Sequence, residues 1–175
     1  QGLKQQGYQV FANDHNAYAA TLARCYVQAD LDEHQDQAQR LIAELNKLGG
    51  SPGYFTETFC EKSRFFQPKN GARVDAMRER ISTWSLPDDL EAVLLVSLME
   101  AADRIDSTCG VQMAYLKSWA ARSYRPLLLE IPEMLDGPGS VSSVDAAQCA
   151  RDHGPVDLVY VDPPYNQHSY LGNYH

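Results

Sequence analysis

The 175-residue sequence contains no long hydrophobic run and no closely spaced cysteines. No apolar stretch approaches the ~20 residues that a membrane-spanning helix needs, and the first residues, Gln1 to Gln6, are too polar for a secretory signal peptide. Without a CxxC pair, neither a zinc site nor a disulfide framework is indicated. We therefore expect a cytoplasmic protein with reduced cysteines, no metal and no membrane partner. The cysteines are Cys25, Cys60, Cys109 and Cys149.

The sequence also lacks the excess of basic residues that most DNA-binding proteins carry. Its formal net charge is −8. Residues 61–80 depart from this balance, because they contain six basic and three acidic residues and leave a charge of −11 on the remainder. A basic segment on an acidic body is compatible with phosphate contacts. The same charges could equally form a solvated loop and helix face.

Strand and helix patterns alternate at both ends of the chain and predict an α/β fold. Apolar residues over 8–12 predict a strand that ends at Asn13 and Asp14, and helical spacing follows it. Near the other end, residues 141–144 predict a strand that ends at Asp145, again before a helical segment. With 44% hydrophobic and 22% charged residues, the chain has the composition of a soluble domain that can bury a core.

The middle of the chain interrupts this alternation. Residues 51–125 combine several predicted helices with an irregular stretch rich in aromatic residues, proline and glycine. We expect this region to be an insertion into, or a cap over, a parallel sheet. Residues 1–50 and 126–175 would then be two parts of one α/β domain. Within the second part, residues 126–131 are predicted to be extended, either as a strand or as a connecting segment.

The most informative motif is Asp162-Pro163-Pro164-Tyr165, which follows the apolar run 156–161. A β-branched run that stops at an acid, two prolines and an aromatic residue predicts a buried strand followed by a loop. The prolines end the strand because they cannot donate to a ladder. In open α/β sheets, ligands bind at the carboxyl ends of strands. The motif therefore places a carboxylate, a rigid carbonyl and an aromatic face where a reacting group would bind.

These residue types suit the activation of an exocyclic amino group on a nucleobase. That nitrogen is a poor nucleophile, because its lone pair is delocalised into the ring. The Asp162 carboxylate and the Pro163 carbonyl can each accept a hydrogen bond from it, which favours a tetrahedral nitrogen with a free lone pair. Tyr165 can stack on the base, which must first leave the duplex. With a sulfonium methyl as electrophile, catalysis would depend on positioning and electrostatics.

The sequence from Asp157 through Asp162-Pro163-Pro164-Tyr165 to Tyr170, running into Asn173-Tyr174-His175, resembles the catalytic motif of the D12 class of N6-adenine-specific DNA methyltransferases. The resemblance implies S-adenosylmethionine as the cofactor and a Rossmann-like methyltransferase sheet with a mainly helical insertion as the target-recognition region. The implied activity is site-specific methylation of a flipped adenine in double-stranded DNA, as in restriction–modification systems. The implied catalytic residues are Asp162, Pro163, Pro164 and Tyr165.

The same resemblance assigns cofactor-binding residues at the ends of two predicted strands. Asp14, with Asn13 beside it, matches the acid that holds the ribose hydroxyls, and a carboxylate at this place can accept from both. Asp145 matches the acid that contacts the cofactor's adenine amino group. The alternative is that these acids, or Asn16, cap the helices that follow.

The run from Phe65 to Arg78 also resembles the family, in which an aromatic-rich loop enters a helix. Phe65 and Phe66, interleaved with basic residues, could stack on an extruded base, but we favour their packing into a core. Asn70-Gly71 is a turn signal in its own right.

Two other functions remain open. The chain could methylate RNA adenines, since looped RNA needs less base extrusion and the acidic composition weakens a claim on duplex DNA. It could also be a catalytically silent methyltransferase-like module that binds nucleic acid or a protein. The family carries a Phe-x-Gly-x-Gly loop that would lie upstream of Leu3, and the sequence lacks it. We therefore expect this chain to be an incomplete part of a longer protein.

Overall fold

The computed structural model describes residues 1–108 and 116–163. The described helices are α1 (Gly2–Gln5), α2 (Ala17–Ala23), α3 (Leu31–Asn46), α4 (Pro68–Ser82), α5 (Asp88–Asp103) and α6 (Ala146–Asp152). The described strands are β1 (Val10–Asn13) and β2 (Gly139–Ser142). Shorter segments are the π-helical turns Arg24–Gln28 and Thr56–Glu61 and the 3-10 turn Ala121–Tyr124. None of the described helices is both long enough and apolar enough to span a membrane.

The two strands form a small parallel sheet, in which Val10 lies opposite Gly139 and Asn13 opposite Ser142. Parallel strands need a long crossover, and here the connection carries α2 to α5. β2 begins at a glycine because its backbone passes the Val27 carbonyl so closely that a side chain would collide with it. The prediction of a mixed α/β fold is confirmed, but β2 begins and ends two residues earlier than the predicted 141–144, so Asp145 lies three residues beyond its end.

The larger core cluster lies between α3, α4 and α5, away from the sheet. α3 and α4 each present an apolar face to α5, whereas α5 is buried on more than one side and contributes to both core clusters. This cluster contains Ile42, Leu45, Val74, Met77, Ile81, Leu94, Leu98, Ala101, Ile105, Leu127 and Leu129. A second cluster joins the end of α2 to α5 and contains Cys25, Ala29, Ala38, Leu90, Ala92, Val93, Val96 and Met134. The region predicted as a helical insertion therefore contributes much of the buried core.

Residues 126–131 form no strand, and side chains from three helices satisfy their backbone groups instead. Asn46 on α3 donates to the Leu129 carbonyl and accepts from the Leu129 N–H, both at 2.9 Å. Asn70 on α4 accepts from the Leu127 N–H at 3.2 Å, and Ser97 on α5 donates to the Glu130 carbonyl at 2.6 Å. Of the two predicted alternatives, the connecting segment is correct.

Asn70 and Gly71 lie inside α4 rather than in a turn, so that prediction is wrong. The helix begins at Pro68, whose fixed φ suits a first helical position. Gly71 faces the π-helical turn, and a methyl group there would overlap the Cys60 sulfur. The glycine thus serves close helix packing, a tertiary cause that the local pair Asn-Gly does not reveal.

Residues 156–161 form no strand in the structure, so the predicted buried strand is also wrong here. Leu158 is 75% exposed and Tyr160 is 85% exposed. A β-strand exists only through hydrogen bonds to a neighbour, and within the described residues β1 and β2 pair only with each other. The apolar pattern indicates that the segment tends to be buried, but it does not provide a neighbouring strand for hydrogen bonding.

Candidate active site at the carboxyl edge of the sheet

Asn13 joins the carboxyl ends of the two strands. Its Nδ2 donates to the Val144 carbonyl at 3.0 Å, and its Oδ1 accepts from the Val144 N–H at 3.1 Å and from the Ser142 hydroxyl at 2.8 Å. The side chain therefore extends the parallel ladder by one step. Asn13, predicted to bind cofactor, has both polar side-chain atoms engaged in holding this edge together.

Asp14 follows Asn13 and is exposed. Its Oδ1 accepts from the Asn16 N–H at 2.7 Å, while Asn16 itself caps α2 by accepting from the Tyr18 N–H at 2.9 Å. Capping of α2 is thus the task of Asn16 rather than of Asp14. The second carboxylate oxygen of Asp14 has no hydrogen-bond partner within residues 1–108 and 116–163, which leaves it available to a ligand.

Asp145 follows β2 in the corresponding place and caps α6. Its Oδ1 accepts from the N–H groups of Ala147 at 2.9 Å and Gln148 at 3.3 Å. The capping interpretation is confirmed for this residue. Capping uses only one oxygen, and in the described part of the chain the other oxygen of Asp145 makes no hydrogen bond.

The two acids therefore lie at the same edge, because β1 and β2 are parallel neighbours in register. Carboxylates are acceptors only, so this edge matches a ligand with hydroxyl or amino donors. The Phe11 ring packs against the His153 ring with centroids 4.7 Å apart, which fixes the end of α6 against β1. The arrangement is a rigid polar edge that a nucleoside could approach.

Asp162 and Pro163 are exposed and follow the unpaired segment 156–161. Within the described residues, no hydrogen bond or ion pair joins Asp162 to Asp14 or Asp145. Pro164 and Tyr165, the other predicted catalytic residues, lie outside the residues that the structure describes. The structure therefore describes the cofactor edge in detail and the catalytic motif only at its start.

Much of the basic segment 61–80 serves the fold. Lys62 pairs with Glu57, and hydrogen bonding to that carboxylate raises the pKa of the lysine. Arg73 donates to the Leu127 and Asn46 carbonyls at 2.6 and 2.9 Å, and Arg80 pairs with Glu44 at 2.6 Å. The remaining basic residues of the segment, Arg64, Lys69 and Arg78, pair with no carboxylate in the described part of the chain and are the candidates for a ligand.

In the aromatic loop, Phe66 is buried as predicted, whereas Phe65 is only partly buried. Phe66 is 2% exposed, and the Phe55 ring lies 5.0 Å from the ring centroids of both Phe59 and Phe66. The described cysteines Cys25, Cys60 and Cys149 are free, as expected. Burial raises the pKa of the Cys25 and Cys60 thiols to about 12, so neither is a nucleophile at neutral pH.

Asp75 holds the beginning of this loop, and no sequence pattern pointed to it. Its carboxylate accepts from the N–H groups of Gly53, Phe55 and Thr56 at 2.8, 2.9 and 2.8 Å, and from the Thr56 hydroxyl at 2.6 Å. Desolvation raises the pKa of Asp75, but the four hydrogen bonds outweigh it, and the pKa lies below its usual value. A contact of this kind joins residues about 20 apart and has no local signature.

We expect Asp75→Asn to lower the free energy of unfolding by roughly 2 kcal/mol, because an amide nitrogen would face backbone donors. A carboxyl with a depressed folded pKa stabilises the fold above its unfolded pKa of about 3.9, and this contribution disappears as the pH falls through the lower folded value. Denaturant unfolding at a series of pH values should therefore show a flatter acid limb for the variant. Asp36→Asn, on the exposed face of α3, is the matched control. An acid limb identical to that of the wild type would contradict the prediction.

The described residues thus form an α/β protein with two acids at the carboxyl edge of a small parallel sheet, and its sequence contains an Asp-Pro-Pro-Tyr motif. The chain belongs to the D12 class N6 adenine-specific DNA methyltransferase family, whose family model matches residues 1–175.

Its relatives are modification enzymes of bacteria and a virus. The chain is 32% identical to the Type II methyltransferase M.NlaIII of Neisseria lactamica over 180 aligned residues, covering 95% of this chain and 52% of that protein. It is 34% identical over 121 residues to the Type II methyltransferase M.FokI of Planomicrobium okeanokoites, covering 66% of this chain and 18% of the relative. It is 26% identical to M.CviAII of Paramecium bursaria Chlorella virus 1, covering 97% and 53%. No solved structure matches the chain.

Proposed function

We propose that the full-length protein transfers a methyl group from S-adenosylmethionine to the N6 amino group of adenine at a specific site in double-stranded DNA. The observation that carries the proposal is the family match over residues 1–175, which includes the complete Asp-Pro-Pro-Tyr motif. The chain spans about half the length of M.NlaIII and M.CviAII, with 52% and 53% of those proteins covered. The activity is therefore assigned to the full-length protein.

In this proposal Asp162 and the Pro163 carbonyl accept hydrogen bonds from the target amino group. The two acceptors hold the nitrogen with its lone pair directed away from the base, and Tyr165 stacks on the base to keep its plane fixed. Pro164 stiffens the backbone between these groups, because its ring fixes φ. The adenine must first leave the duplex, since its amino group is enclosed by stacking and pairing there. Exposure of Asp162 and Pro163 is compatible with an approaching nucleobase.

The cofactor would lie at the carboxyl edge of a Rossmann-like sheet that includes β1 and β2. S-adenosylmethionine, when bound, supplies a methyl group on a positively charged sulfur. The residues fit it, because Asp14 and Asp145 each keep one oxygen unpaired within the described part of the chain, while ribose hydroxyls and an adenine amino group are donors. Asn13 positions both acids by joining the strand ends. Residues 51–125 would then serve as the target-recognition region.

The test uses full-length protein, unmethylated plasmid DNA and S-adenosylmethionine, followed by digestion to nucleosides and mass spectrometry. We expect N6-methyladenine to appear in the DNA. A parallel reaction contains total RNA in place of the plasmid. Methylation of the RNA but not of the plasmid would identify RNA as the substrate. Binding of nucleic acid without any methylated base, by protein that also fails to bind the cofactor, would favour a silent module.

A further inference from the structure

Two segments of this acidic chain carry basic residues and no acids. Residues 62–70 and 116–127 contain six basic side chains and neither aspartate nor glutamate, whereas the whole chain has a net charge of −8. The six are Lys62, Arg64, Lys69, Lys117, Arg122 and Arg125.

The structure brings the two segments together. Arg64 Nη1 donates to the Lys117 carbonyl at 2.9 Å, and Lys69 Nζ donates to the Tyr124 carbonyl at 3.3 Å. Beside them, Asn70 Nδ2 donates to the Arg125 carbonyl at 2.9 Å. The segment that leads into α4 therefore lies against the residues on both sides of the 3-10 turn Ala121–Tyr124.

Acidic side chains neutralise only two of the six charges. Lys62 pairs with Glu57, and Arg122 pairs with the buried Asp106. The other four have no carboxylate partner among residues 1–108 and 116–163. We call them the cationic face: Arg64, Lys69, Lys117 and Arg125. Their remaining N–H groups are available to an external acceptor.

Aromatic side chains lie within the cationic face. The Arg64 guanidinium lies over the Trp119 ring, 4.9 Å from its centroid, and this stacking orders a side chain that would otherwise be flexible. Tyr124 is 58% exposed. An ordered guanidinium, two lysines without a carboxylate partner among the described residues and an exposed tyrosine ring together are the composition of a nucleic-acid surface.

We propose that the cationic face binds the phosphate backbone of duplex DNA and holds it against the protein during target recognition. This inference rests on the proposed function and assigns the binding to particular residues. Charge complementarity argues for a polyanion, because the protein carries a net charge of −8 whereas these four cations have no carboxylate partner among the described residues. Contacts to phosphates fix the register and orientation of a protein on DNA without reading sequence.

The test measures the affinity of full-length protein for a fluorescein-labelled DNA duplex at a series of salt concentrations. The variant is Lys117→Gln/Arg125→Gln, which changes two exposed side chains that make no hydrogen bond in the described structure. We expect affinity to fall roughly tenfold or more at about 0.1 M salt, and the slope of log K against log salt to fall by about 2. Arg40→Gln/Lys47→Gln makes the same charge change at exposed residues in α3 and directly after it, and should leave both quantities unchanged.

The outcomes separate this inference from the proposed function. If the wild type makes N6-methyladenine but the cationic-face variant matches the α3 control in affinity and slope, the inference is overturned and the function stands. If the variant loses duplex affinity while the wild type makes no N6-methyladenine, the inference stands and the function fails. The same titrations are made with a fluorescein-labelled single-stranded RNA, and a variant that loses affinity for the RNA but keeps wild-type affinity for the duplex overturns the assignment to duplex DNA.

Discussion

The Asp162→Ala variant of the full-length protein should transfer methyl groups roughly 10²- to 10³-fold more slowly than the wild type, with nearly unchanged affinity for S-adenosylmethionine. The carboxylate is one of two acceptors proposed to free the lone pair of the target nitrogen, and an alanine methyl group cannot replace it. Asp162 is exposed and makes no hydrogen bond within the described residues, so the substitution should leave the fold intact. Single-turnover rates on saturating DNA would measure the effect on the chemical step.

Asp14→Ala provides the complementary measurement. The Asp14 carboxylate is proposed to accept from ribose hydroxyls, so its loss should weaken S-adenosylmethionine binding by about tenfold while leaving single-turnover rates at saturating cofactor close to the wild type.

Asp162→Asn retains an acceptor oxygen without the charge and should give an intermediate rate. Wild-type turnover by Asp162→Ala would remove this residue from the active site. Equal cofactor affinity of Asp14→Ala and wild type would do the same for the proposed ribose contact.

Secondary structure in this chain was predictable where a segment depends on its own pattern. Helix α3 has apolar residues at helical spacing and an aspartate cap, Asp30, that accepts from the Asp32 N–H at 3.0 Å. Both signals lie within or next to Leu31–Asn46, so the sequence alone indicates this helix. The strand prediction over 156–161 was wrong because a strand needs a neighbouring strand to pair with, and the periodicity of a sequence does not identify that neighbour. The turn prediction at Asn70-Gly71 was wrong because close packing of Gly71 against Cys60 outweighed the local preference for a turn.

The features of the candidate site were likewise predictable where they depend on local sequence and not where they depend on tertiary contacts. Acids directly after strands could be found from sequence, because strand ends are marked locally and parallel strands bring their carboxyl ends to one edge. The role of Asn13 was not predictable in that detail, since its partner Val144 lies 131 residues away. Only part of the cationic face could be predicted from the sequence. Residues 61–80 showed a basic excess, but their contacts with residues 117–125 exist only in the folded chain.

The largest stability effect should follow from Asn70→Ala. Asn70 is 2% exposed, and its amide donates to the Ser123 and Arg125 carbonyls at 3.2 and 2.9 Å and accepts from the Leu127 N–H at 3.2 Å. Leu127 is fully buried, so water cannot easily replace the lost partner. Several buried backbone groups without partners, together with a small cavity, should lower the free energy of unfolding by roughly 3 to 5 kcal/mol.

Urea unfolding followed by tryptophan fluorescence would measure this change, with the slope m used to check that the unfolded state is the same. Gln39→Ala removes an exposed amide from α3 and should change stability little. Asn70→Asp keeps an acceptor for Leu127 but sets a carboxylate against two carbonyls, so it should be at least as unstable as Asn70→Ala. A loss no greater than that of the Gln39 control would show that the amide does not hold residues 123–127. Because those residues also carry part of the cationic face, Asn70→Ala should weaken duplex binding even under conditions in which it remains folded.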